Sequence, residues 1–397
     1  MHFKWMFKNT FLIHVFFLLA VLSSCKAQNN PQTKNIIVAA NRTELYLPLL
    51  QAKKVGIVAN QTSVIFKNTG YTHLIDSLLQ RNISIQKVFS PEHGFRGTAD
   101  AAEKVNNSVD VSTQLPVVSL YGKHKKPTTE DLKGIDLMIF DIQDVGVRFY
   151  TYISTLHYVM EACAENQIPL LVLDRPNPNG HYVDGPMLNP KYSSFVGKHP
   201  VPLVYGMTIG EYATMINGEK WLANQIQCDL TLIPLSNYNH NSSYHLPIRP
   251  SPNLPNDKAI NLYPSLGFFE GTPINAGRGT TYQFQRYGSS SFPKTNFYYT
   301  PKPNYGSKYP KDDAKICYGV NLTNTQKLSK VSMEWLVDAY HKYPDKTAFF
   351  GKTFTIHAGD TILEYQLKNG FTAKEIEQSW QSKTQIFKKL RKKYLVY

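Results

Sequence analysis

The residues of this sequence best suited to chemistry fall in short clusters. In Ser90-Pro91-Glu92-His93-Gly94-Phe95-Arg96-Gly97 a carboxyl, an imidazole and a guanidinium share one loop, where they can move protons and grip an anion. Pro91, Gly94 and Gly97 favour a sharply shaped backbone; the alternative is a solvated turn in which Glu92 pairs with Arg96. Asp141-Ile142-Gln143-Asp144-Val145-Gly146-Val147-Arg148-Phe149-Tyr150-Thr151-Tyr152 adds two carboxyls, an arginine and two phenols. These serve either as contacts to a substrate or as helix capping with ion pairing. Asp174-Arg175-Pro176-Asn177 is a rigid turn whose Arg175 and Asn177 can point into a cleft, and Asn60 ends another apolar run. Farther on, Glu270 lies between Phe269 and Gly271, a setting that raises a carboxyl's pKa if it is buried. Arg278, between Gly277 and Gly279, suits a forked grip on an anionic ligand, and equally suits a buried pair with Glu270.

What must position these groups is a series of short apolar runs alternating with helical patterns. Residues 55–60, 83–89, 115–121, 135–141 and 169–174 read as strands, and helices are predicted over 73–79 and 151–166. Strands that are apolar nearly throughout belong in a mostly parallel sheet covered on both faces, so an α/β, Rossmann-like domain is expected. The runs end in polar groups: Asn60, Glu92 with His93, Tyr121, Asp141 with Asp144, and Asp174 with Arg175. In a parallel sheet those ends share the edge at which ligands bind. The first strand leads into Asn60-Gln61-Thr62-Ser63 with no glycine fingerprint, which argues against a dinucleotide site. After Cys228-Asp229-Leu230-Thr231-Leu232-Ile233-Pro234 the texture turns rich in Asn, Tyr, Ser and Pro. A boundary is expected there, between a Rossmann-like domain over 46–255 and a smaller C-terminal domain over 256–397 with helices near 331–343 and 373–394.

Residues 1–24 read as a secretory signal, because Lys4 and Lys8 precede an apolar run over 11–22 that is too short to span a bilayer. The run ends in Leu22-Ser23-Ser24-Cys25, which resembles a bacterial lipoprotein cleavage box. Cys25 is therefore the expected lipidated first residue, with residues 25–45 as a tether. Lys26 after the cysteine resembles sorting to the outer membrane, facing the periplasm. The formal net charge of +14 is diluted along the chain apart from a cluster over 388–393. Such a cluster reads as the solvated face of a terminal helix, and nucleic acid is not an expected partner outside the cytoplasm. With Cys25 lipidated, Cys163, Cys228 and Cys317 supply no disulfide framework. In the absence of a CxxC pair or an HExxH helix, neither a metal nor another cofactor is expected. The oligomeric state is not specified by the sequence.

Taken together, SPEHGFRG, the segment 141–152, LDRPNPNG ending at Gly180, SPNLP at 251–255, and YPSLGFFEGT with GRGT between 263 and 280 resemble the NamZ-type exo-β-N-acetylmuramidase family. The likeness runs on through Ser379-Trp380 to the Lys392-Lys393-Tyr394-Leu395 ending. It implies a Rossmann-like domain packed on a smaller α/β domain, with the active site in the cleft between them. It further implies release of N-acetylmuramic acid from the non-reducing end of peptidoglycan fragments. Glu92 matches the family's catalytic acid. Glycoside hydrolysis usually needs a second carboxyl, for which Glu270, Asp141 and Asp144 are candidates beside the substrate's own acetamido group. Asn60, His93, Arg96, Arg148, Tyr150, Arg175, Asn177 and Arg278 are the candidates for holding the sugar. The competing readings are a lipid-tethered glycan-binding protein without turnover, and an envelope esterase or amidase, which the absence of a GxSxG elbow disfavours.

Overall fold

Apolar strands with no wet face must lie inside a sheet. In the computed structural model, which describes residues 35–92, 94–96 and 108–397, they do. The first part of the chain contributes β1 (Lys54–Ala59), β2 (Val64–Phe66), β3 (Tyr71–His73), β4 (Ser84–Ser90), β5 (Ser108–Val109), β6 (Pro116–Ser119), β7 (Leu137–Asp141), β8 (Leu170–Leu173), β9 (Asp184–Met187), β10 (Pro202–Val204) and β11 (Leu230–Ile233). Seven of them form one sheet in the order β11-β8-β7-β1-β4-β6-β5. Every pairing in it is parallel except that of the edge strand β5 with β6. β7 and β8 are buried throughout, as central strands of a doubly covered sheet must be.

Alternation along the strands feeds two apolar layers. On β7, Met138 and Phe140 face one layer, shared with the helices Tyr152–Glu165 and Ile209–Gly218. Leu137 and Ile139 face the other, shared with Leu74, Ile75 and Leu78 of the helix Leu74–Leu79. Because β4 and β6 lie on one side of β1 while β7 and β8 lie on the other, the chain reverses its winding at β1 and β7. The loops after those two strands and after neighbouring β4 open onto the crevice this reversal creates.

The smaller part carries a three-stranded antiparallel sheet, β12 (Arg286–Ser289), β13 (Tyr298–Tyr299) and β14 (Cys317–Asn321), in the order β12-β14-β13, together with short helices. The apolar layer over helix Tyr152–Glu165 continues into Phe268, Phe269, Tyr287, Phe354 and Phe387, and Ile36–Tyr397 makes one compact unit.

Two expectations need correction. The tether read as extending to residue 45 is packed from Ile36 onward: Ile37 bridges to Ser236, Val38, Ala39 and Ala40 are buried, and a helix begins at Thr43. The single helix predicted over 373–394 is two, Ala373–Ser379 and Gln381–Arg391. The joint is Trp380, whose buried indole donates to Asp184 Oδ1 at 2.8 Å.

Candidate active site

Glu92 follows β4, and Tyr121 follows β6. The register Ser90↔Ser119 sets the two loops side by side, so that the Tyr121 hydroxyl donates to Glu92 Oε1 at 3.2 Å. Thr151, at the start of the helix Tyr152–Glu165, reaches the other oxygen at 3.5 Å. Three loop ends thus converge on one carboxyl. Glu92 opens onto a cavity whose floor is aromatic: Phe149, Tyr150, Tyr152, Tyr263 and Phe284 line it. Their rings meet edge to face, Tyr263 lying 5.0 Å from Phe149 and 4.8 Å from Phe284. The cavity holds about 740 Å³ of space, its open mouth included, within the size range of small-ligand sites.

On the far side lie Glu270, Arg278 and His357. Arg278 Nη1 donates to both Glu270 oxygens at 3.0 Å, and its Nη2 donates to the Gly306 carbonyl at 3.2 Å. Burial pushes the Glu270 carboxyl up, but the charges of Arg278 and Lys311 and the hydrogen bonds from Arg278 outweigh it and hold the pKa below the usual range. Lys311 ties down the loop beneath, donating to the carbonyls of Phe269 at 2.6 Å, Glu270 at 3.3 Å, Thr272 and Ile274. Burial lowers its pKa to about 8. The glycines flanking Arg278 serve this loop as well. A Cβ on Gly277 would sit 2.4 Å from the Tyr282 carbonyl oxygen, and one on Gly279 would sit 2.7 Å from Pro310. The close approach they permit is therefore to neighbouring loops.

The other described sequence candidates lie apart from the cavity wall, and each has a partner that explains it. Asp141 and Arg175 form a buried forked pair at 2.6 and 2.8 Å between the ends of β7 and β8. Asp144 accepts from the Gly146 N–H at 2.6 Å and from the Tyr205 hydroxyl, and burial pushes it up to about 7 despite both. Arg148 is fully buried and donates to four carbonyls: Pro186 at 2.5 Å, Val201 at 3.1 Å, His357 at 3.1 Å and Ala358 at 2.9 Å. Asn177 donates to the Met207 carbonyl at 2.8 Å, beneath Gly146 at φ +76°, where a Cβ would lie 2.3 Å from its amide oxygen. Arg96 pairs with Asp110 at 2.8 Å and with Asp76 at 3.3 Å, stacked on Phe95. Asn60 is buried one layer below the floor, its amide donating to the Tyr152 hydroxyl at 2.9 Å. His93 lies outside the described residues.

Of the proposed set, the structure therefore gathers Glu92, Tyr150, Glu270 and Arg278 around one cavity. It adds Ser251 and Asn253 from the SPNLP segment, Tyr263 from YPSLG, and Thr151, which those motifs contained without marking as site residues. His357, on the short helix Phe354–Ala358, belongs to no motif and gave no signal. Among the described residues, no group of three or more His, Cys, Asp or Glu side chains is arranged to hold a metal ion.

Comparison with known proteins agrees with this picture. The family model for the N-terminal part of exo-β-N-acetylmuramidase NamZ matches residues 55–258, and that for its C-terminal part matches residues 261–397. A peptidoglycan β-N-acetylmuramidase NamZ from Bacillus subtilis (strain 168) is 38% identical over 374 residues, covering 89% of each chain. The crystal structure of a DUF1343 family protein from Bacteroides fragilis superposes with a TM-score of 0.84 at 44% identity, covering 91% of this chain and 99% of that one. A second DUF1343 protein of that organism has a TM-score of 0.77 at 28% identity, with the same coverage.

Proposed function

Because this chain belongs to the exo-β-N-acetylmuramidase NamZ family, we propose that it hydrolyses peptidoglycan fragments from their non-reducing end and releases N-acetylmuramic acid. The observation that carries the reading is Glu92, held by Tyr121 and Thr151 at the wall of an aromatic-floored cavity that also contains Glu270. In this reading Glu92 gives its proton to the glycosidic oxygen as the bond to C1 breaks, and the bonding pair leaves with that oxygen. Glu270, kept ionised by Arg278, is the carboxylate available to offset the positive charge that develops at C1. A water then adds to C1 and passes a proton to one of the two carboxylates, completing hydrolysis. Tyr263 stays a neutral hydroxyl, since burial and the nearby charges of Glu270 and Glu92 raise its pKa well above the usual phenol value. The aromatic floor offers flat apolar faces to the sugar ring.

The deciding experiment incubates the purified protein with a disaccharide bearing a non-reducing N-acetylmuramic acid and identifies the products. Free reducing N-acetylmuramic acid supports hydrolysis. A tethered glycan binder would retain the intact disaccharide and release nothing.

We further propose that the protein belongs to the bacterial envelope, attached by lipid at Cys25 and facing the periplasm from the outer membrane. The lysine-flanked apolar run that stops at Leu22-Ser23-Ser24-Cys25 supports this. Among the described residues no helix is long and apolar enough to cross a membrane.

A further inference from the structure

An enzyme that acts only at a chain end has to tell a terminal sugar from an internal one. At the non-reducing end the difference is one proton: the terminal residue has a free hydroxyl at O4, whereas in an internal residue that oxygen is bonded to the next sugar. A group that only accepts a hydrogen bond can read this difference, because it gains a partner from the hydroxyl and none from the ether.

His357 is such a group. Its Nδ1 lies 2.8 Å from the Thr353 carbonyl oxygen. A carbonyl cannot donate, so Nδ1 carries the proton, and in the neutral ring Nε2 is left as an acceptor. The ring lines the cavity, 5.7 Å from the Phe149 ring, and Nε2 has no hydrogen-bond partner among the described residues. Burial lowers the imidazole pKa, which favours the neutral ring. The charges acting on it most strongly are Glu270, which favours protonation, and Lys311 and Arg148, which oppose it. The backbone of the same residue is fixed from below, since Arg148 holds the His357 and Ala358 carbonyls at 3.1 and 2.9 Å. Both oxygens of neighbouring Glu270 already accept from Arg278 Nη1.

We propose that His357 is a substrate-binding residue that reads the chain end, its Nε2 accepting the hydrogen bond of the O4 hydroxyl of the terminal N-acetylmuramic acid. The inference rests on the hydrolytic reading above and adds to it the contact that makes the action exo.

The test uses 4-nitrophenyl glycosides of N-acetylmuramic acid and of its 4-deoxy analogue. The wild type favours the 4-hydroxyl sugar. His357→Phe loses roughly three- to tenfold in kcat/KM on that sugar, the worth of one neutral hydrogen bond, and nothing on the 4-deoxy sugar. His357→Gln, which keeps an acceptor, recovers part of the loss. Equal losses on both sugars would overturn the proposal and leave His357 a packing residue. If the wild type turned over neither glycoside, the hydrolytic reading would fail. Calorimetric binding of the two sugars would still decide this inference, a preference for the 4-hydroxyl that depends on His357 supporting it and no such preference overturning it.

Discussion

Both carboxylate oxygens of Glu270 lie 3.0 Å from a single nitrogen of Arg278, Nη1. The guanidinium that sequence reasoning offered to an anionic ligand thus already holds an anion of the protein's own. Arg278→Ala is accordingly expected to lower kcat/KM about equally on aryl glycosides of N-acetylmuramic acid and N-acetylglucosamine, by roughly ten- to a hundredfold, the worth of a charged hydrogen bond. The change also removes a cation that depresses the Glu270 pKa, so the acid limb of the pH–rate profile should move to higher pH. Kinetics on the matched pair across pH check both points. A loss confined to the muramic sugar would assign Arg278 to its lactyl carboxylate.

Glu92→Gln keeps the shape of the side chain and its contact with Tyr121 but has no acidic proton. Turnover of the natural disaccharide should fall by about 10²–10⁴-fold, while thermal stability and sugar binding stay near wild type. Release of reducing sugar at the wild-type rate would remove Glu92 from the role of acid.

Arg148→Met tests a structural role. The variant leaves the carbonyls of Pro186, Val201, His357 and Ala358 without their donor, so stability should drop by about 3 kcal/mol or more. Denaturant unfolding measures this. A stable variant with only a raised KM would instead put Arg148 on the substrate.

Asp144 gives a pH signature. Its folded pKa of about 7 lies above the ordinary value of about 3.9, so the native state binds the extra proton and the group favours folding at low pH. That contribution is lost as pH rises from about 4 through about 7. Asp144→Asn cannot ionise, so its melting temperature relative to wild type should climb across that window. A constant difference from pH 4 to 8 would show that Asp144 does not titrate there.

Cys25→Ser should yield an unlipidated protein released from the membrane fraction. Mass spectrometry of the mature wild type should find the chain beginning at a lipid-bearing Cys25. A different first residue without lipid would remove the anchor.

Much of this site was legible because a buried parallel strand must end where its polar residues begin. Glu92 after β4 and Tyr150 after β7 were visible for that reason, and Glu270 and Arg278 through their glycine-flanked, apolar settings. What sequence does not carry is which charges neutralise one another. Asp141 and Arg175 stand 34 positions apart and meet only because β7 and β8 pair. Arg96 finds its partners in Asp76 and Asp110, on other elements. His357 comes to the cavity through the packing of a five-residue helix with no periodic signature. The strands Arg286–Ser289, Tyr298–Tyr299 and Cys317–Asn321 are too short and too rich in Gly and Tyr to alternate visibly.

Arg148 also bears on motion. It departs from the loop after β7, yet two of its four acceptors, the carbonyls of His357 and Ala358, lie 209 and 210 residues further along the chain. A hinge that parted the Tyr150 wall from the His357 wall would have to break those charged hydrogen bonds in a dry interior, at about 1.5–3 kcal/mol each. The two walls are riveted. Those two walls of the cavity therefore stand in place before a glycan end arrives, and binding bears no ordering cost for bringing them together.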